Sequence, residues 1–319
     1  MSVHSLNRRG LLKVGVLSGL SAAAAFPHAE GDGRAPTRKF LLNLSCGRIG
    51  CKATFVESVD LAIRNGFEAV DPDPVYFARL SNDQMDGLLG NLKEKGLKLG
   101  AGSLPVDFRK DDTIFSDGLR KLPAFCQSLR RAGVSRVGTY FLSFDNDLTY
   151  LQNFRSHAYR LRLIAGILKD HGQRLGLEYL GPMTLWRSSK HPFIHTMSET
   201  KELIAAIGTD NVGFHLDSWH WFTAGETEAD IRSLKNEDIT DVDLNDAPAG
   251  LSLDQQIDSQ RELPLATGVI PVKSFLDALR QINFDGPIHA EPFNEALRLL
   301  PSEKAVANTA IAMKKAFAL

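Results

Sequence analysis

From Lys39 onward, eight short apolar runs of strand type alternate with longer stretches of helical period, and no other feature constrains the fold as tightly. The runs are KFLLNLS (39–45), FEAVDPD (67–73), KLGAGSL (98–104), RVGTYFL (136–142), RLGLEYL (174–180), NVGFHLD (211–217), ITDVDLN (239–245) and PIHAEPF (287–293). Amphipathic patterns such as ATFVESVDLAIRN and VKSFLDALRQI separate them, and SEKAVANTAIAMKKAFA closes the chain. Several helical patterns stop on a glycine just before a strand, as in IRNGFEAV, KEKGLKLG, RRAGVSRVG and KDHGQRLG. A left-handed glycine ends a helix in this way and releases the chain into a buried strand. Regular alternation argues for parallel βα units, and eight of them close a (β/α)8 TIM barrel. An open doubly wound sheet would more often carry a glycine-rich phosphate loop after its first strand. LSCGRIGCK matches neither such pattern. The expectation is one α/β barrel domain over 39–319, a size that a single barrel accommodates.

The first residues do not belong to this pattern. MSVHSLNRRGLLKVGVLSGLSAAAAF has a basic start, an apolar middle and then small residues, the layout of a secretory signal. Arg8 and Arg9, followed by Gly10-Leu11-Leu12-Lys13, resemble the twin-arginine export motif. The expectation is a signal peptide over 1–30, a linker over 31–38 and an exported, periplasmic protein. No later stretch is long and apolar enough to span a bilayer, so no stable membrane insertion is expected once the signal is removed. With 37 basic against 38 acidic residues there is no electrostatic footprint for nucleic acid. Three cysteines, Cys46, Cys51 and Cys126, make no disulfide framework; Cys46 and Cys51 are near enough to pair in an oxidising compartment, and unpaired thiols are the first reading.

A barrel of this kind builds its active site at the C-terminal ends of its strands. Here those ends carry Glu178 on the fifth run, Asp217 on the sixth, Asp243 and Asn245 on the seventh and Glu291 on the eighth. Residues two apart share a side, which sets His215 one layer below Asp217 and His289 below Glu291. Four converging carboxylates repel one another unless a cation lies among them. Mostly oxygen ligands favour a hard divalent ion, Mn²⁺ or Mg²⁺. The alternative is pairing of each acid with Arg or Lys across the mouth. Trp219 and Trp221, just past the sixth strand, offer faces on which a sugar ring could stack, and His191 and His195 stand in the loop after the fifth. Arg261, in the RELP loop, is placed to reach the substrate or a ligand, or else to pair with Glu262 or Asp258.

LEYLGP around Glu178, LDSWH around Asp217, VDLNDAP around Asp243 and HAEPF around Glu291 resemble the xylose isomerase-like TIM barrels. The resemblance runs from Lys39 to the end. It implies Glu178, Asp217, Asp243 and Glu291 as the metal ligands, with Asp243 departing from the His or Gln of relatives. It also implies His220 as a substrate contact, within a D-x-x-H motif. Glu178 and Glu291 become the pair that removes and returns a proton beside a carbonyl, through an enediolate, which is isomerisation or epimerisation of a sugar. Expelling a β-leaving group after the same first step gives a lyase instead, acting as a dehydratase or on a keto-glycoside. A non-catalytic carbohydrate-binding barrel is a further alternative. An endonuclease-like role would need zinc-binding histidines and a basic face, and neither is present. The expected partner is a small carbohydrate, and the sequence leaves room for a homo-oligomer.

Overall fold

The computed structural model describes residues 37–319; the signal expected over 1–30 and most of the linker lie outside the described residues. All eight expected strands form. They are β1 (Leu41–Leu44), β2 (Ala69–Val70), β3 (Lys98–Leu99 continued by Gly102–Ser103), β4 (Arg136–Tyr140), β5 (Arg174–Glu178), β6 (Val212–Asp217), β7 (Ile239–Asp243) and β8 (Pro287–His289). Every pairing among them is parallel. The first half of β3 pairs with β2 and its second half with β4, so the order 3-2-1-8-7-6-5-4 returns to β3 and the ring closes.

The helices between strands follow from local chemistry. Thr54 and Ser81 cap the helices Phe55–Arg64 and Asn82–Glu94 with reciprocal bonds to Glu57 and Gln84, satisfying end N–H groups that the helix leaves unpaired. Gly66, Gly96, Gly133 and Gly172 take positive φ after their helices, as expected at these turns. The long helices Asp112–Arg131 and Tyr150–Asp170 bury Leu122, Leu129, Leu161 and Leu168 against the outside of the sheet.

Outward-facing Leu175, Leu177, Phe214, Leu216, Val242 and Ile288 are buried. The interior is different. It holds Asn43, His215, Asp241, Asp243 and His289, all buried, where small barrels usually stack branched apolar side chains. Two glycines make room for them. A Cβ on Gly138 would lie 3.0 Å from Asp241 and 3.1 Å from His215, and one on Gly176 only 1.9 Å from Thr240 Oγ1. A register shift between Ile239 and Asp241 marks an irregularity in β7 at this level. Cys46, Cys51 and Cys126 are buried free thiols. Among the described residues no helix is long and apolar enough to cross a membrane.

Candidate active site

The strand ends bring the four acids together. Register sets Asp243 level with Asp217 on one side and with His289 on the other. One carboxylate oxygen from each of Glu178, Asp217, Asp243 and Glu291 lies within 4.8 Å of the others. Their roles differ by exposure to the cavity of about 680 Å³ that opens above: Glu178 and Glu291 line it, while Asp217 and Asp243 do not.

Asp217 is held on three sides. It caps the helix Ser218–Thr223 through Trp219 N–H at 2.8 Å, accepts from Asn245 Nδ2 at 3.0 Å, and pairs with Arg261 Nη1 at 2.7 Å. Burial pushes its carboxyl up to about 7, with Arg261 pulling the other way. Arg261 is the hub of this side. It also reaches Glu291 at 3.1 Å, Asp258 at 2.8 Å and His220 Nε2 at 3.1 Å, so the expected choice between a ligand contact and a pair with Asp258 resolves as both. Glu262 instead accepts from Asn294. The Arg261 guanidinium lies 4.5 Å from the Phe293 ring, within cation–π range.

Arg48, from the loop after β1, enters from the other side. One nitrogen donates to Asp243 at 2.9 Å and to Glu291 at 2.7 Å. Burial alone would lower this guanidinium, but Asp243 and Glu291 hold its proton tightly. Asp243 also bonds His215 Nε2 at 2.7 Å, and His289 Nε2 approaches its other oxygen at 2.6 Å without hydrogen-bond alignment. Burial raises Asp243, yet Arg48, His289 and His215 hold it well below the usual carboxylate range. His215 is pushed up to about 10: burial opposes this, but Asp241, Glu178 and Asp243 outweigh it. His220 goes the opposite way, down to about 3, through burial and then Arg261. Its neutral ring has one lone pair to offer, and faces two donors, Gly181 N–H at 3.2 Å and Arg261 Nη2.

The donor set fits a divalent cation. Glu178 Oε1 and Asp243 Oδ1 are buried with no hydrogen-bond partner among the described residues, and such orphaned oxygens are costly unless a cation or donor meets them. A second histidine-containing group, His215 with Asp243 and His289, lies just below. Four carboxylates remain hard oxygen ligands.

The structure brings Glu178, Asp217, Asp243, Glu291, His220 and Arg261, all singled out in the sequence, into one cluster. Two expectations are corrected by position. Trp219 does not face the cavity: the chain turns into a helix at Ser218, which carries the ring fully into the core. His191 pairs with Asp145 in a short antiparallel ladder (Phe144–Asp145 with His191–Pro192) and lies away from the cavity lining. Sequence reading missed Arg48 and Asp258 as site residues. The demand of four converging acids for cations was the available signal, and Arg48 stands only four residues past the end of the first strand.

The family model for the xylose isomerase-like TIM barrel matches residues 59–316. The chain belongs to this family. Within it, an inosose isomerase of Halalkalibacterium halodurans is 22% identical over 267 residues, covering 80% of this chain and 88% of that protein. A xylose isomerase domain protein from Alicyclobacillus acidocaldarius superposes with a TM-score of 0.75 at 29% identity, covering 88% of this chain and 99% of the other. The IolI protein, whose structure contains a zinc atom, superposes at 0.71 with 18% identity over 88% of this chain and 98% of its own. The last likeness is one of fold.

Proposed function

We propose that this protein is a divalent-metal-dependent sugar isomerase or epimerase. The observation that carries this reading is the division of the four acids: two glutamates reach the cavity, and two aspartates stand behind them, locked in bonds to Arg261 and to Arg48 and His215. Glu178, Asp217, Asp243 and Glu291 would hold the metal, which when bound supplies Lewis-acid stabilisation of an oxyanion beside the reacting carbon. Glu178 and Glu291 then exchange a proton with that carbon, one removing it and the other returning it to a neighbouring carbon or the opposite face. Arg261 and neutral His220 line the same cavity and would orient the hydroxyls of the sugar. Mn²⁺ or Mg²⁺ suits the oxygen donors better than zinc.

The test is metal-dependent solvent exchange. Incubation in D₂O with a panel of ketoses, aldoses and inososes should place deuterium beside the carbonyl, and Glu178→Gln or Glu291→Gln should stop it. Products identify the second step, because loss of a β-leaving group marks a lyase. Absence of exchange with every sugar and metal would count against an enolising enzyme. Residues 1–30 are proposed to direct twin-arginine export to the periplasm. That reading predicts retention in the cytoplasm when Arg8 and Arg9 are both replaced by Lys, and fractionation with immunodetection decides it.

A further inference from the structure

Neither oxygen of Glu291 is free. Its Oε1 accepts from Arg48 Nη1 at 2.7 Å and its Oε2 from Arg261 Nη1 at 3.1 Å. Each of those nitrogens also donates to an aspartate, Arg48 to Asp243 Oδ2 at 2.9 Å and Arg261 to Asp217 Oδ2 at 2.7 Å. One guanidinium nitrogen thus bridges Glu291 to Asp243 and another bridges it to Asp217. A divalent ion held by Asp243 and Glu291 meets carboxylates whose charge a cation of the chain already neutralises. Two cations that share one carboxylate stand only a few ångströms apart, and at a buried site they repel strongly.

The two arginines are not equally held. Arg261 uses all three nitrogens: Nε donates to the Asp258 carbonyl at 3.0 Å, and Nη2 reaches Asp258 Oδ1 at 2.8 Å and His220 Nε2 at 3.1 Å. Its side chain is 1% exposed. Arg48 uses Nη1 alone, and its Nε and Nη2 make no hydrogen bond among the described residues. Its side chain is 21% exposed and lines the cavity. The backbone that carries it is tied down, because Cys51 N–H bonds the Cys46 carbonyl at 2.8 Å and Gly50 N–H bonds the Gly47 carbonyl at 3.1 Å. Rotation about the side-chain bonds of Arg48 therefore breaks two hydrogen bonds of one nitrogen and leaves the loop as it is. A long, flexible stem lets the charged head move from the acids to the solvated side of the cavity.

We infer that Arg48 is an internal counter-cation that competes with the divalent ion for Asp243 and Glu291, and that it leaves them for the cavity when the ion binds. The inference rests on the metal-dependent reading proposed above. Arg261, bonded through every nitrogen, stays with Asp217 in both states. Loading the metal and presenting a free guanidinium to the cavity are then one event.

Calorimetric titration of chelator-treated protein with Mn²⁺, and separately with Mg²⁺, tests the competition. Arg48→Gln and Arg48→Met are expected to bind the ion at least about tenfold more tightly than the unmodified protein. Arg48→Lys keeps the charge and should stay close to the unmodified affinity. Equal or weaker binding by the folded Gln and Met variants overturns the competition and leaves the metal reading standing. A Lys variant that binds as tightly as the Gln variant also overturns it, because charge would then not be what competes. Binding by none of the four proteins overturns the inference together with the reading it rests on. A second measurement needs no variant. Modification of Arg48 by phenylglyoxal, mapped by mass spectrometry of its peptide, should speed up several-fold at saturating Mg²⁺ relative to chelator. An unchanged or slower rate at saturation shows that Arg48 keeps its acids in the loaded protein and defeats the displacement.

Discussion

Arg48 and Asp243 form an ion pair at 2.9 Å across the mouth of the barrel, joining the loop after the first strand to the end of the seventh. Asp243 stands where the family resemblance leads one to expect a neutral side chain. The extra negative charge is compensated from within the chain, by Arg48 above it and by His215 beside it. The site thus stays close to the charge balance that a neutral ligand would give.

Removal of one partner of a buried pair strands the other charge. Asp243 is fully buried and Arg48 has a side chain only 21% exposed. Arg48→Met is expected to lower the unfolding free energy by about 3 kcal/mol at pH 7. The double variant Arg48→Met/Asp243→Asn should lose less than the sum of the two single changes. Urea denaturation of the four proteins measures the coupling, and strict additivity would show that the pair is not a unit.

Glu178 should trade stability for function. Burial pushes its carboxyl well above the ordinary range; His215 opposes this, and Glu291, Asp243 and Asp217 reinforce it. The folded state therefore keeps a proton that the unfolded chain releases above its ordinary value of 4.5. Stability falls as pH rises from there toward the folded value. Glu178→Gln removes that slope. Its melting temperature should exceed that of the unmodified protein by more at pH 8 than at pH 5, while solvent exchange drops by a factor of about 100 or more. Melting curves at the two pH values, read beside exchange rates, check both halves.

A metal that binds the folded site alone must stabilise it. Free Mn²⁺ or Mg²⁺ at a hundred times its Kd is expected to add about 2.7 kcal/mol. Asp217→Asn, which leaves the cavity-lining glutamates in place, should abolish most of the shift. Differential scanning calorimetry with and without chelator provides the readout, and a melting temperature indifferent to every divalent ion would argue against the ligand set.

Away from the four acids, Glu226 accepts from the Tyr179 hydroxyl and from Met197 N–H, the latter at 2.5 Å at the start of the helix Met197–Ile207. Burial pushes its carboxyl up to about 7, against the pull of those two donors. Between 4.5 and about 7 the folded state holds the extra proton, so stability declines across that window as pH rises. Glu226→Gln is expected to flatten this decline and to gain stability over the unmodified protein above pH 7. Equal pH slopes for the two proteins, measured by urea titration, would refute the assignment.

The polar interior depends on missing side chains. A Cβ at Gly176 would meet Thr240 Oγ1 at 1.9 Å and the His215 backbone nitrogen at 2.8 Å. Gly176→Ala should cost about 3 kcal/mol, the upper end of ordinary overpacking. Near-normal stability in chemical denaturation would mean that β5 and β7 have slack the structure does not show.

Fold and acids were legible in the sequence because both are local signals repeated with regular spacing. Alternating period-two and period-3.6 patterns specify βα units one at a time, and the C-terminal residue of each strand can be read without knowing what lies opposite. That was enough to place Glu178, Asp217, Asp243 and Glu291 in one cluster. What surrounds those acids depends on contacts between distant segments, which no local period reports. Arg48 meets Asp243 from 195 positions away in the chain, and Tyr140, the last residue of β4, shares the cavity lining with Leu185 from the loop after β5. Trp219 shows the reverse: beside Asp217 in sequence, it leaves the site because the chain begins a helix at that residue and turns the ring inward. The barrel and its ring of carboxylates follow from local patterns along the chain; which cations answer those acids follows only from the packed protein, because charge compensation and burial belong to the whole.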